Sequence, residues 1–293
     1  MRLKWLLVIP LISSSLYILF SAWGTKKYTQ LDNYQEPHEW SDHALPLFLN
    51  WPIRLKRPLS GKKLRIVVMS DSHNMHDRLS VPDGDVLIHC GDPTNFGTEQ
   101  ELINFNEFLG NLPHQHKLVI FGNHEEQVSK FTKSEIKKSI ITNAIYLEDD
   151  EITIEGVKFY GTPWVPNMYN LLMEKRRIAN YQPNGVGNIT SYDNMFYFKD
   201  DETLREKWSM IPDDVDFLIT HSAPLGVGDY NHVVKHGVGC PLLRERISLL
   251  QNVAVHAFGH LHENYGISSH NKTLFINAAV SHLHHPLFFD LLT

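Results

Sequence analysis

Five short stretches of this 293-residue chain carry side chains of the kind that hold divalent cations. They are Asp71-Ser72-His73, Gly91-Asp92, Gly122-Asn123-His124-Glu125, a lone His221, and Gly259-His260-Leu261-His262. Carboxylate, imidazole and amide oxygen together suit Mn²⁺, Fe or Zn²⁺. Cations held in this way lower the pKa of a bound water toward ~7 and attract phosphate oxygens. Each pair is a weak signal alone: with 18 histidines, chance supplies about one Asp-x-His and about one His-x-His. Gly-Asn-His is different, with fewer than ~0.1 expected. The stronger signal is the order of all five, each at the same place relative to an apolar run.

Those apolar runs must position the ligands. Leu64–Met69, Val86–His89, Leu118–Phe121, Phe217–Thr220 and Val253–Phe258 read as buried strands. Ligands just beyond the carboxyl ends of strands are where α/β sheets place their sites. Glu151–Ile154 and Val157–Tyr160, joined by Glu155-Gly156, predict a hairpin, and so does the region from Tyr265 to Ile276. Glu99–Leu109 and Pro241–Leu250 predict helices, the second with its proline at the start. Strands alternating with helices, followed by late hairpins, predict an α/β layered domain with mixed sheets.

Other polar residues are expected outside the ligand set. His114 and His116 repeat the His-x-His spacing but lie in a proline-containing loop, so they are expected to be solvated. His282, His284 and His285 are expected at the surface or behind the ligands. Cys90 reads as a small core hydrophobe. Glu125 and Asp229 are candidates for orienting a ligating histidine from behind.

The five signatures resemble those of the calcineurin-like metallophosphoesterase superfamily: Asp-x-His, Gly-Asp, Gly-Asn-His-Asp/Glu, a lone His, and Gly-His-x-His. All five are intact. Gly161-Thr-Pro-Trp164, the run from His221 to Gly226, the run from Phe258 to Glu263 with Tyr265-Gly266, and Ile276-Asn-Ala278 are similar to the metallophosphoesterase-domain-containing subgroup. The resemblance covers residues 64–293 and implies a four-layer α-β-β-α sandwich of two mixed sheets flanked by helices. It also implies two divalent metal ions (Mn²⁺, Fe or Zn²⁺) and cleavage of phosphoester bonds, phosphodiesters ahead of monoesters. Asp71, His73, Asp92 and His262 would hold the first cation; Asp92, Asn123, His221 and His260 would hold the second. The shared Asp92 has a physical reason, because two cations ~3.5–4 Å apart repel strongly unless an anion lies between them. A metal-bridging hydroxide would be the nucleophile, with His124 stabilising the transition state or protonating the leaving oxygen. A catalytically weak scaffold on the same fold would show missing ligands, and none is missing. The stretch from Val165 to Asp200 departs from the subgroup by its length. Its Arg176, Arg177 and Tyr181 are expected to contact substrate by bidentate hydrogen bonding and stacking.

The ends and the bulk composition set further expectations. A net charge of −6 and no dominant basic face argue against a nucleic-acid partner. Two cysteines make no disulfide framework. After Arg2 and Lys4, the run from Trp5 to Trp23 is almost wholly apolar; as a helix it would span ~28 Å, close to a bilayer core. Residues 1–24 are therefore expected to be a single-pass membrane anchor, with a cleaved signal peptide and secretion as the alternative. Residues 25–60 read as a stalk and 61–293 as the catalytic domain. The basic cluster Arg54, Lys56, Arg57, Lys62, Lys63, Arg65 reads as solvated.

Overall fold

The protein is described from a computed structural model, which covers residues 53–55, 61–166, 196–198, 200–231, 236–271, 273–281 and 284–293. The expected membrane segment 1–24, most of the stalk, Arg176, Arg177, Tyr181 and His282 lie outside the described residues. No helix among the described residues is long and apolar enough to cross a membrane.

Along the chain come β1 (Ile53–Arg54), β2 (Lys63–Met69), β3 (Val86–Cys90), β4 (His116–Ile120) and β5 (Ile145–Tyr146). The predicted hairpin is β6 (Asp150–Ile154) with β7 (Val157–Thr162). It turns on Glu155 at φ 47° and Gly156 at φ 78°, the pair of positive φ values that fits strand twist. Next are β8 (Val165–Pro166), β9 (Tyr197–Phe198), β10 (Phe217–Thr220), β11 (Tyr230–Asn231), β12 (His236–Gly237) and β13 (Val255–Phe258). The second predicted hairpin is β14 (Gly266–His270) with β15 (Thr273–Asn277), and β16 (Leu287–Leu292) follows. One sheet has the order β1-β16-β2-β3-β4-β5, the other β14-β15-β13-β10-β7-β6. Both are mixed. β2, β3 and β4 are parallel with β16 antiparallel beside them. β7, β10, β13 and β15 are parallel with antiparallel β6 and β14 at the edges.

The central strands are apolar throughout because both of their faces are covered. Alternation along β2 sends Ile66 and Val68 toward Phe159, Phe217, Ile219 and Val255 of the other sheet. Val67 and Met69 join Leu102, Phe105 and Leu109 of the helix Glu99–Gly110 on the outer face. That helix begins with a capping box between Thr98 and Glu101. On the far side, Leu218, Phe258 and Phe275 pack with Leu204 and Trp208 of the helix Asp201–Ser209. Leu243 and Ile247 of the helix Pro241–Leu249 complete that layer. Two mixed sheets therefore lie face to face with helices outside them.

Several expectations are corrected. Ile53–Arg54, inside the expected stalk, pairs with Leu291–Leu292 as a strand of the first sheet. Within the basic cluster, Lys63 and Arg65 belong to β2 and pair with Asp290, their side chains remaining largely in solvent as expected. His114 is buried, not solvated, because the Pro82 carbonyl meets its Nε2 at 3.0 Å; His116 opens β4 and is partly exposed. The helix Asp201–Ser209 and strand β16 are not among the elements expected from the sequence. The helix buries Leu204 and Trp208 and relies on its cap, Asp200 accepting from the Thr203 N–H at 2.8 Å.

Phe217 tests this packing. It is fully buried between the sheets, 5.1 Å from the Phe159 ring and 6.4 Å from the near-parallel ring of Phe289. Phe217→Ala should lower unfolding free energy by about 3–5 kcal/mol in denaturant titration. A loss below about 1 kcal/mol would mean that the sheets do not share this core.

Candidate metal centre

Strands β2, β3 and β4 of one sheet and β10 and β13 of the other deliver all seven expected ligands to one place. The backbone there is unusual. Asp71 (φ 56°), His73 (φ 42°), Asp92 (φ 52°) and His260 (φ 68°) all occupy the left-handed region. Non-glycine residues adopt it at a cost of roughly 1–3 kcal/mol each, and such strain gathers where function over-determines the geometry. The glycines of the motifs have a separate reason. A Cβ on Gly122 would lie 2.4 Å from Asp92 Oδ1 and 2.6 Å from His221 Nε2, and one on Gly259 would lie 2.1 Å from Asp71 Oδ2. Only a residue without a side chain lets these loops close on the carboxylates.

The polar atoms converge in a specific way. His221 Nδ1 lies 2.8 Å from the Cys90 carbonyl. A carbonyl only accepts, so this nitrogen carries the proton and Nε2 of the neutral ring is an acceptor. Nε2 nevertheless faces Asn123 Oδ1 and Asp92 Oδ2, each at 3.1 Å. His73 repeats the arrangement. Its Nδ1 faces the Thr94 carbonyl at 3.2 Å, and its Nε2 faces His262 Nε2 at 3.2 Å, which in turn lies 3.0 Å from Asp71 Oδ1. At His221 this geometry calls for positive charge, a second proton on the ring or a metal ion. The ligand atoms fall into three overlapping groups, each within 4.8 Å: Asp71, His73, His262; His73, Asp92, His124; and Asp92, His221, His260. Carboxylates and imidazoles whose outer nitrogens are fixed by carbonyls make a donor set that fits divalent metal ions.

The electrostatics agree. Burial works against the charge on Asp92, but His221 outweighs it and holds the carboxyl well below its usual range. Burial likewise opposes charge on Asp71, and His262 overcomes it to hold that carboxyl low. Burial also disfavours a charged His221, yet Asp92 lifts the imidazole to about 9. Burial drives His73 down to about 4 and, aided by His221, drives His260 down to about 3. Without metal, a proton on His221 thus supplies the positive charge the cluster requires; a metal ion would replace it.

The other expected residues fall in distinct places. His124 donates its backbone N–H to Asp92 Oδ1 at 2.9 Å, and its Nδ1 faces the Asn95 carbonyl at 3.0 Å. Its Nε2 is left 4.0 Å from Asp92 Oδ2, on a side chain that is 43% exposed. Glu125 touches no ligating ring. Its buried carboxylate accepts from Thr94 N and Oγ1 and from Gly122 N, joining the loops that carry Asp92 and Asn123. Burial, then the charge of Asp92, pushes its carboxyl up to about 8. Asp229 Oδ2 accepts from the Gly226 and Gly239 N–H groups and so braces the loop after β10. His284 stacks on Tyr265 at 4.2 Å. Sequence reading missed the carbonyls of Cys90, Thr94 and Asn95, which set the imidazole orientations; main-chain atoms leave no residue-type signal.

Gly122→Ala probes the close approach. The added methyl has to displace Asp92 or His221, so metal uptake measured by elemental analysis should fall by at least half while the far-ultraviolet circular dichroism is retained. Full metal content in this variant would show that the loop tolerates a side chain and that the geometry above is wrong.

Comparison with known proteins follows the same residues. The sequence pattern of calcineurin-like phosphoesterases matches residues 64–264. The chain is similar to human metallophosphoesterase domain-containing protein 1, 35% identical over 83% of this chain and 75% of that protein. It is also similar to a UPF0046 protein of Caenorhabditis elegans, 34% identical over 82% of this chain and 85% of the relative. One solved crystal structure shares the fold with a TM-score of 0.53 at 12% identity, covering 74% of this chain and 90% of its own. With the five motifs intact and their residues gathered at one centre, the chain belongs to the calcineurin-like phosphoesterase family, as a relative of the metallophosphoesterase-domain-containing proteins.

Proposed function

We propose that this metallophosphoesterase hydrolyses phosphodiesters with two divalent cations. Asp71, His73, Asp92 and His262 would hold one; Asp92, Asn123, His221 and His260 would hold the other. The observation that carries the reading is His221, whose Nε2 faces two oxygen acceptors at 3.1 Å while its Nδ1 is committed to the Cys90 carbonyl. When bound, such cations supply the charge that activates water and stabilises phosphoryl oxygens. The chain's own residues do the rest. Asp92 gives the anionic charge between the two groups, and its Oδ1 is held by the His124 N–H. His124, oriented by the Asn95 carbonyl and partly exposed, is placed to give a proton to the leaving oxygen. Arg176, Arg177 and Tyr181 would contact the remainder of the substrate, and residues 1–24 would anchor the protein to a membrane.

Two variants test the assignment. Asp92→Asn removes the bridging charge and should abolish turnover and lower metal content at both sites. Two equivalents of metal with turnover intact would refute it. His124→Ala should retain both metals and lose roughly 10²–10⁴-fold in rate across a panel of nitrophenyl esters, cyclic nucleotides and lipid head-group diesters. Loss of metal would instead make His124 a ligand, the role that its proximity to His73 and Asp92 also permits.

A further inference from the structure

We infer that His89 and His256, two buried histidines outside the ligand set, are positioning residues, one for each group of ligands. The inference rests on the two-metal reading above. Neither ring touches the centre. His89 lies on β3 beside Met69 of β2, and His256 lies on β13 beside Leu218 of β10. Both are completely buried. Their rings pack edge-on against phenylalanines, His89 against Phe105 at 5.1 Å and His256 against Phe275 at 5.7 Å.

Each ring reaches one hydroxyl, and each hydroxyl adjoins a ligand. His89 Nε2 is 3.1 Å from Ser72 Oγ, between Asp71 and His73. His256 Nε2 is 2.8 Å from Thr220 Oγ1, immediately before His221. The hydroxyl proton is already used. Ser72 donates to the Pro93 carbonyl at 3.3 Å, and Thr220 donates to the Ser222 carbonyl at 2.7 Å. A hydroxyl has one proton and a carbonyl has none, so in both chains the imidazole Nε2–H donates to the hydroxyl. Each chain therefore runs imidazole to hydroxyl to carbonyl, in a single direction. The first ties the turn holding Asp71 and His73 to the residue after Asp92. The second closes the turn holding His221 on itself.

The remaining nitrogen explains why this is not ordinary packing. Nδ1 of His89 and Nδ1 of His256 are buried with no hydrogen-bond partner among the described residues. An orphaned buried acceptor is costly, and a leucine would fill the same space without it. The compensating contribution is the fixed hydroxyl. Burial also pushes both rings down to about 3, so each remains the neutral single donor the chain requires.

The experiment is Co²⁺ titration of the full-length protein, followed by calorimetry and visible absorption. The wild type should bind in two phases, assigned by the phase that His73→Ala moves and the phase that His260→Ala moves. His89→Leu should weaken the His73 phase alone, and His256→Leu the His260 phase alone, by roughly 10–100-fold. Gln at either position carries an amide N–H of similar reach and should restore most of the affinity. Ser72→Ala and Thr220→Val should reproduce the two selective losses while leaving the rings in place; they decide the question if a Leu variant does not fold. Equal shifts of both phases in every variant, unchanged affinities, or Gln no better than Leu would overturn the inference. A wild type that takes up no Co²⁺ would overturn the two-metal reading first, a result separable from two normal phases that no variant moves.

Discussion

The structure is organised around a repulsion. Buried oxygen and nitrogen acceptors are brought to about 3 Å of one another at the ends of two sheets, with Asp92 among them. Around His221 neutral hydrogen bonds do not suffice, because its Nδ1 proton is already given to the Cys90 carbonyl while its Nε2 faces two oxygens. Positive charge is favoured there, and the Asp92 carboxylate raises the affinity of His221 for a proton against the effect of burial. The left-handed residues, the glycines without room for a Cβ and the loops joined by Glu125 all hold atoms where they would otherwise separate.

That repulsion explains how the strain is distributed. A left-handed aspartate or histidine persists only when its neighbours leave it no alternative. Asp71 is fixed from two directions: its carboxylate accepts the His260 N–H, and its own N–H donates to the Gly91 carbonyl at 2.9 Å. Asp92 is fixed by the His124 N–H and by His221. Residues that follow strands of the second sheet, His260 and His221, thus restrain both carboxylates of the first. The apolar core between the sheets supplies the rigidity against which these contacts act, and the site's precision depends on packing several residues away.

Legibility in the sequence follows the same physics. Val67, Ile88, Val119, Ile219 and Ala257 lie on strands buried on both faces, so they read as unbroken apolar runs. Their ends were marked by Gly-Asp, Gly-Asn-His and Gly-His, because glycine is demanded by close approach at those points. All seven residues expected as ligands on that basis lie together at one place. β16 was missed although its burial alternates strictly, because Leu287-Phe-Phe-Asp-Leu-Leu292 also fits a helix and its partner β2 is far away in sequence. His114 was misread because nothing local reveals that Pro82, in another loop, supplies a carbonyl to it. Glu125 and Asp229 are expected to orient a ligating histidine, but their carboxylates accept instead from backbone N–H groups and the Thr94 hydroxyl, which composition cannot display.

The origin of the ligands has a consequence for folding. Asp71, Asp92 and Asn123 follow strands of one sheet; His221, His260 and His262 follow strands of the other. A cation held by both sets therefore cross-links the two sheets at one end of their shared core. Few of these distances survive separation of the sheets, so the unfolded chain binds the metal weakly and binding energy becomes stability. At a free concentration one hundred times Kd, the gain is about 2.7 kcal/mol per ion. That is comparable to the summed strain of one or two left-handed ligands. The centre thus offsets, in its loaded form, part of the conformational cost of assembling it. The neutral props behind Ser72 and Thr220 matter for the same reason: each freedom they remove from the empty site is one that the arriving cation need not remove.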